Sequence, residues 1–124
     1  MITLHLPPTA AAIAKELMDY SRQLRLKQAS GLLGFTELRE RVQPHGVNFA
    51  NIGVGVHLEK ILLELERTEL PLALTYLVMS KGRKADYEHP TPRRLGITSK
   101  NVVSKRAEAV AYDWSKVSVD VVES

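Results

Sequence analysis

The sequence predicts an α+β fold that is mainly helical and contains one small β-hairpin. Several stretches repeat apolar residues every three to four positions, which is typical of amphipathic helices. The run from Leu72 to Met79 is apolar, with β-branched and aromatic residues, and predicts a buried strand. The polar turn from Ser80 to Lys84 contains a glycine and predicts the bend of a hairpin.

The first element is a helix over about residues 9–30. Ile13, Leu17 and Leu24 recur on one face, and charged or amide side chains occupy the other face. Gly31 is a residue at which such a helix ends.

A helix pair follows over about residues 36–69. In its first helix, Leu38 and Val42 lie four positions apart and are expected to face the core. Residues 51–58 alternate like a strand, but the apolar spacing over residues 53–67 favours a longer second helix.

The strand and its basic hairpin are expected over about residues 72–90, and a C-terminal helix over about 101–114. Residues 118–124 alternate valines with polar residues, which predicts either an edge strand or a frayed end. A length of 124 residues fits a single domain, 1–124. The expected core residues are Ile13, Leu17, Leu38, Leu58, Ile61, Leu62, Leu65, Leu74, Tyr76, Val78 and Trp114.

Several classes of protein are excluded or disfavoured by what the sequence lacks. Without cysteine, it has no disulfide scaffold, thiolate metal site or cysteine nucleophile. The N-terminus lacks a basic stretch followed by a long apolar run, and no apolar stretch reaches the length of about 20 residues needed to span a bilayer. We therefore expect a soluble, cytoplasmic protein.

This order of elements, a helix pair followed by a strand and a basic turn, is that of a winged helix-turn-helix. The blocks 34–38, 70–81 and 107–114 resemble a family of small, uncharacterised prokaryotic and phage domains with such a fold. The resemblance implies a winged-helix-like fold and little about activity. The chain departs from that family at Lys81 to Lys84, which is more basic than the family's glycine- and proline-rich turn.

Positive charge is concentrated in one region. Residues 81–106 hold eight basic and two acidic side chains, a net charge of +6, whereas the rest of the chain has a net charge of −3. Such a concentration is typical of phosphate contact by a nucleic-acid-binding protein. The predicted nucleic-acid-binding residues are Lys81, Arg83, Lys84, Arg93, Arg94, Lys100 and Asn51.

The second helix of the pair is a poor candidate for reading the major groove. Its carboxylates Glu59, Glu64, Glu66 and Glu69 would repel the phosphate backbone. Side chains able to read base edges occur at its start, and aromatic rings able to stack on bases occur near the hairpin. The side chains able to read base edges are Asn48, Asn51 and His57. The rings able to stack on bases are Tyr76, Tyr87 and His89.

No cofactor, metal site or catalytic residue is predicted, because the four histidines are scattered and no positioned general base is evident. The enzyme hypothesis is a metal-dependent nuclease using Lys84, Asp86 and Glu88. The main alternative to nucleic-acid binding is a protein-binding modulator of mobile-element or phage origin. Such a protein would inhibit a bacterial defence or nucleic-acid-handling complex, with a host or phage protein as partner. A dimer is compatible with either function.

Overall fold

The structure, a computed structural model, describes residues 2–49, 54–78, 94–98 and 100–122, which form an α+β fold. The α-helices are α1 (Pro8–Arg25), α2 (Phe35–Val42), α3 (Val54–Arg67) and α4 (Val102–Ala111). The strands are β1 (Ile2–Leu6) and β2 (Val117–Val121). Short 3₁₀ helices cover Gln43–His45, Leu72–Leu77 and Trp114–Lys116.

The two strands come from opposite ends of the chain and pair in parallel, with Ile2 opposite Val117 and Leu6 opposite Val121. Leu4 and Leu6 turn inward, and the intervening side chains face outward. The whole helical part of the chain thus serves as the crossover that a parallel pair requires. β2 confirms the edge-strand alternative for the C-terminal tail, whereas β1 was not predicted.

The helix α1 lies at the centre of the fold and contacts α2, α3, α4 and both strands. Its first turns bury the alanines at positions 10–12 and 14, whose small side chains let neighbouring elements approach closely. Further along, the buried hydroxyl of Ser21 donates a hydrogen bond to the carbonyl of Ala109 in α4 over 3.0 Å. These contacts join the N-terminal helix to the C-terminal one.

The end of α1 differs from the prediction: the helix stops at Arg25 instead of about residue 30. Lys27 adopts the left-handed conformation with φ = 60°, and the Gln28 amide donates to the carbonyl of Gln23 over 2.8 Å. This is a Schellman motif, which normally places glycine at the left-handed position. Because lysine occupies it here, the sequence pattern pointed to the later Gly31.

The same motif ends α3. Glu69 has φ = 58°, and the amide of Leu70 donates to the carbonyl of Leu65 over 2.9 Å. Both leucines are buried, which is the apolar contact that accompanies this type of helix end. The helices α2 and α3 lie in the region where the helix pair was expected, about residues 36–69.

The strand predicted from residue 72 is wrong. Residues Leu72–Leu77 form a 3₁₀ helix, and Val78 makes an isolated parallel bridge with Leu33. An apolar run indicates burial but does not distinguish a strand from a short helix, and this run is packed against α1, α3 and α4. The rest of the predicted hairpin lies outside the described residues.

All of the residues predicted to form the core are buried. Leu4, Leu6, Leu33 and Ile97 are fully buried as well, and they complete the core from segments with no helical pattern. The C-terminal helix is shorter than predicted, and Trp114 follows it in a 3₁₀ helix with its indole N–H donating to the carbonyl of Ala109. Among the described residues, every helix is too short or too polar to cross a membrane.

Candidate nucleic-acid interface

Two of the predicted nucleic-acid-binding residues, Arg94 and Lys100, are described by the structure. The other five lie outside the described residues, as do the predicted stacking rings near the hairpin and the acidic residues of the nuclease hypothesis. Those positions are Asn51, Lys81, Arg83, Lys84, Asp86, Tyr87, Glu88, His89 and Arg93.

Arg94 is exposed and forms a two-point ion pair with Glu66 of α3. Its Nη1 donates to Oε2 over 3.3 Å, and its Nη2 donates to Oε1 over 3.4 Å. A guanidinium carries five N–H donors, so donors beyond these two are left for a phosphate oxygen. The ion pair therefore attaches Arg94 to α3 and uses only some of the N–H donors of the guanidinium.

Lys100 is exposed in the turn that leads into α4. Asn101 holds this turn, since its amide Nδ2 donates to the carbonyl of Gly96 and its Oδ1 accepts from the amide of Thr98. Ile97, which is fully buried, anchors the same turn in the core. The ammonium of Lys100 is thus presented to solvent from a well-supported backbone.

Arg106 of α4 makes a contact that counting charges did not reveal. Its Nε donates to the carbonyl of Tyr76 over 2.8 Å, three positions before the start of residues 79–93, which we call the basic segment. Arg94, immediately after the basic segment, is paired with Glu66. The chain on either side of the basic segment is therefore held to the folded body by an arginine.

Tyr76 is not available for stacking on a base. It is 6 % exposed and lies in the 3₁₀ helix beneath α4. Its predicted place in the core is confirmed, whereas its suggested role in base stacking is wrong because the ring is enclosed by packed side chains.

The acidic residues of α3 hold the fold together. Glu64 accepts hydrogen bonds from the side chain of Arg67 and from the backbone amide of His5 in β1. The bond from Arg67 is the main cause that lowers the pKa of Glu64, and burial acts in the opposite direction. Arg67 also donates to the carbonyl of Thr3, so this basic residue is engaged in attaching β1 to α3.

Asn48 and His57, two of the residues predicted to read base edges, are poorly placed for that role. The Asn48 side chain accepts a hydrogen bond from the amide of Phe49, a local turn contact. His57 is half-buried beside the Phe49 ring, and its Nδ1 is buried without a hydrogen-bond partner among the described residues. Burial, and secondarily Lys60, lower the pKa of His57, which favours the neutral form of the imidazole.

Histidines elsewhere pair with separate carboxylates. His5 faces Asp120 across the sheet, and His45 contacts Glu16 over 2.9 Å. In the part of the chain that the structure describes, no three histidine, aspartate or glutamate side chains are placed to hold a metal ion.

Comparison with protein-family models, with curated proteins and with solved structures finds no significant match. The functional interpretation therefore rests on the residues themselves.

The contacts that sequence reasoning missed are Glu66 with Arg94, and Arg106 with the carbonyl of Tyr76. Both basic residues belong to the region of high positive charge, and each joins segments about 30 residues apart in the sequence. A charge count identifies such residues, but only the packing of α3 and α4 against the 3₁₀ helix shows what they contact.

Proposed function

We propose that the protein is a non-enzymatic nucleic-acid-binding domain that contacts DNA or RNA phosphates through the basic segment. In this proposal the fold is winged-helix-like, with α2 and α3 as the helix pair and the basic segment as the wing. The observation that carries the proposal is the net charge of +6 over residues 81–106, to which the basic segment contributes four basic and two acidic side chains. Arg94 and Arg106 support it, because they hold the chain on either side of the basic segment.

Phosphate contact is favoured over base reading because of the charges on α3. Glu64 and Glu66 lie on this helix, and its Arg67 is committed to Glu64 and to β1. A helix of this composition is repelled by the phosphate backbone, whereas the basic segment is attracted to it. The proposal therefore assigns binding to the wing and predicts little dependence on base sequence.

The test is a titration of labelled duplex and single-stranded oligonucleotides with two variants whose net charges are equal to each other. The first reverses Lys81, Arg83 and Lys84 to glutamate in the basic segment. The control reverses Lys15, Lys27 and Lys116, which are exposed on the body of the fold. The proposal predicts that the first variant loses most of its binding, whereas the control retains most of it, although both variants change the net charge by the same amount.

The non-enzymatic part of the proposal is tested with the same oligonucleotides. They are incubated with the protein in the presence of Mg²⁺ or Mn²⁺ and examined for shortened products. Metal-dependent cleavage that is lost in Asp86→Asn and Glu88→Gln variants would replace the binding proposal with the nuclease hypothesis.

The second candidate is a protein-binding modulator of mobile-element or phage origin. It is favoured by the separation of charge along the sequence, since carboxylates are concentrated on α3 and basic residues over positions 81–106. Such separation steers protein association. If the wild-type protein fails to retain any oligonucleotide at low salt, this candidate takes precedence. A bacterial nucleic-acid-handling complex would then be the partner to test.

A further inference from the structure

One face of α3 exposes apolar side chains that the core does not use. Val56 is 60 % exposed and Leu63 is 40 % exposed. They are seven positions apart, so they lie on the same side of the helix about 10 Å from each other. Glu59 and Lys60 lie between them and are also exposed. The opposite side of α3 is buried in the core through Val54, Leu58, Ile61, Leu62 and Leu65.

We infer that this face binds α3 of a second copy of the chain in an antiparallel helix pair. A twofold axis passing between positions 59 and 60 places Val56 opposite Leu63 of the other copy. The same axis places Glu59 opposite Lys60 of the other copy, and both contacts occur twice. The face therefore pairs apolar with apolar positions and opposite charges with each other, as a self-complementary twofold interface requires.

Charge selects the antiparallel arrangement over the parallel one. In a parallel pair in register, Lys60 would face Lys60 and Glu59 would face Glu59, and like charges at this distance repel. Glu59 also makes an interaction within its own chain. Its carboxylate has about four acceptor positions, so an ion pair at the interface is compatible with that interaction.

The interface is small, because it consists of one face of a 14-residue helix. Interfaces below about 1,200 Å² are typical of weak and transient association. We therefore expect a dimer that dissociates on dilution into the micromolar range. The inference goes beyond nucleic-acid binding, and its tests contain no oligonucleotide, so either proposal can fail without the other.

The absence of cysteine from the chain allows a clean cross-linking test. Separate Val56→Cys and Leu63→Cys proteins, distinguished by a tag, are mixed and oxidised. A disulfide needs Cα atoms about 4.4–6.8 Å apart, and the proposed pairing brings only position 56 near position 63. We expect mixed Val56–Leu63 dimers in large excess over dimers of either variant alone. A Val103→Cys variant, exposed on α4, is the control for random collision.

The second test measures the association of charge variants by sedimentation, at protein concentrations from micromolar to near-millimolar. Lys60→Glu alone and Glu59→Lys alone each place like charges opposite one another, and both are expected to abolish the dimer. The double variant restores opposite charges in the proposed register and is expected to restore association. Circular dichroism of each variant checks that the fold is retained.

The inference is overturned if the wild-type protein remains monomeric over this concentration range. It is also overturned if each cysteine variant cross-links with itself as readily as with the other variant. Failure of the double variant to regain association would likewise contradict the proposed register.

Discussion

Arg94 and Glu66 form an ion pair that connects the basic region directly to the acidic helix α3, with a closest approach of 3.3 Å between nitrogen and oxygen. The partner of a predicted phosphate-binding arginine is thus a carboxylate of its own chain. The remaining donors of Arg94 can still contact a phosphate group, but the carboxylate of Glu66 repels that phosphate. This relationship links the fold to the proposed binding function.

The variant Glu66→Gln is expected to increase affinity for oligonucleotides. It removes the competing carboxylate while keeping the shape of the side chain. Because an exposed ion pair contributes about 0–1 kcal/mol, the increase is expected to reach about fivefold. Binding is measured by fluorescence anisotropy at fixed salt, with Glu69→Gln as a control that removes the same charge from the end of α3. Equal effects of the two variants would contradict a specific role for the pair.

The pair of Glu64 and Arg67 predicts how stability depends on pH. Arg67 lowers the pKa of Glu64 below its usual value of 4.5, so the ionised form stabilises the folded state. This contribution is fully present above pH 4.5 and is lost as the pH falls through the lowered pKa. At pH 7, Glu64→Gln is expected to reduce the free energy of unfolding by about 1–2 kcal/mol.

The check is a series of thermal unfolding midpoints for wild type and Glu64→Gln between pH 7 and pH 3. The difference between the two proteins is expected to shrink as the pH falls below 4.5 and to vanish below the lowered pKa of Glu64, where the folded wild-type carboxyl group also becomes protonated. Glu40→Gln, exposed on α2, is the control for removal of a surface charge. A difference that stays constant across the range would rule out the assignment to Glu64.

The left-handed conformation of Lys27 predicts a stabilising substitution. A side chain at φ = 60° is strained, and glycine is not. We expect Lys27→Gly to raise the free energy of unfolding by about 0.5–1 kcal/mol, as measured by urea denaturation. Gln28→Gly, at the next position, is expected to lower it because that backbone needs no glycine. If both substitutions destabilise, the helix end differs from the one described.

The parallel sheet predicts unequal effects of two apolar truncations. Leu4 of β1 is fully buried, whereas Val121 of β2 is largely exposed. Leu4→Ala is expected to cost about 2–5 kcal/mol of stability, and Val121→Ala less than about 0.5 kcal/mol. Urea denaturation of both variants measures the difference. Small and equal effects would show that β1 is not part of the core.

The helix α3 shows what sequence periodicity can predict. Its bounds were expected within one residue because its apolar residues recur at helical spacing and charged residues fill the other positions. The strand β1 carried the alternation of Ile2, Leu4 and Leu6, but so short a signal is ambiguous without its partner. That partner, β2, lies more than a hundred residues away in the sequence.

The 3₁₀ helix Leu72–Leu77 shows the limit of the same reasoning. Nearly every residue in it is apolar, so periodicity could not choose between a strand and a helix. The choice is made by its surroundings, where Thr75 donates to the carbonyl of Leu72 and Arg106 donates to that of Tyr76. In the candidate interface, the composition of the sequence identified the basic residues. The groups that Arg94 and Arg106 contact within the chain are determined by how the helices pack.

The most direct test of phosphate binding is the dependence of the observed association constant on salt concentration. The six basic residues predicted to contact phosphate are Lys81, Arg83, Lys84, Arg93, Arg94 and Lys100, and they predict a slope of log K against log salt of about −5 on duplex DNA. Reversing Lys81, Arg83 and Lys84 is expected to leave only weak binding at low salt and to reduce the slope to about −3 or less in magnitude. No binding by the wild type at the lowest salt, or a slope that this variant leaves unchanged, would contradict phosphate binding through the basic segment.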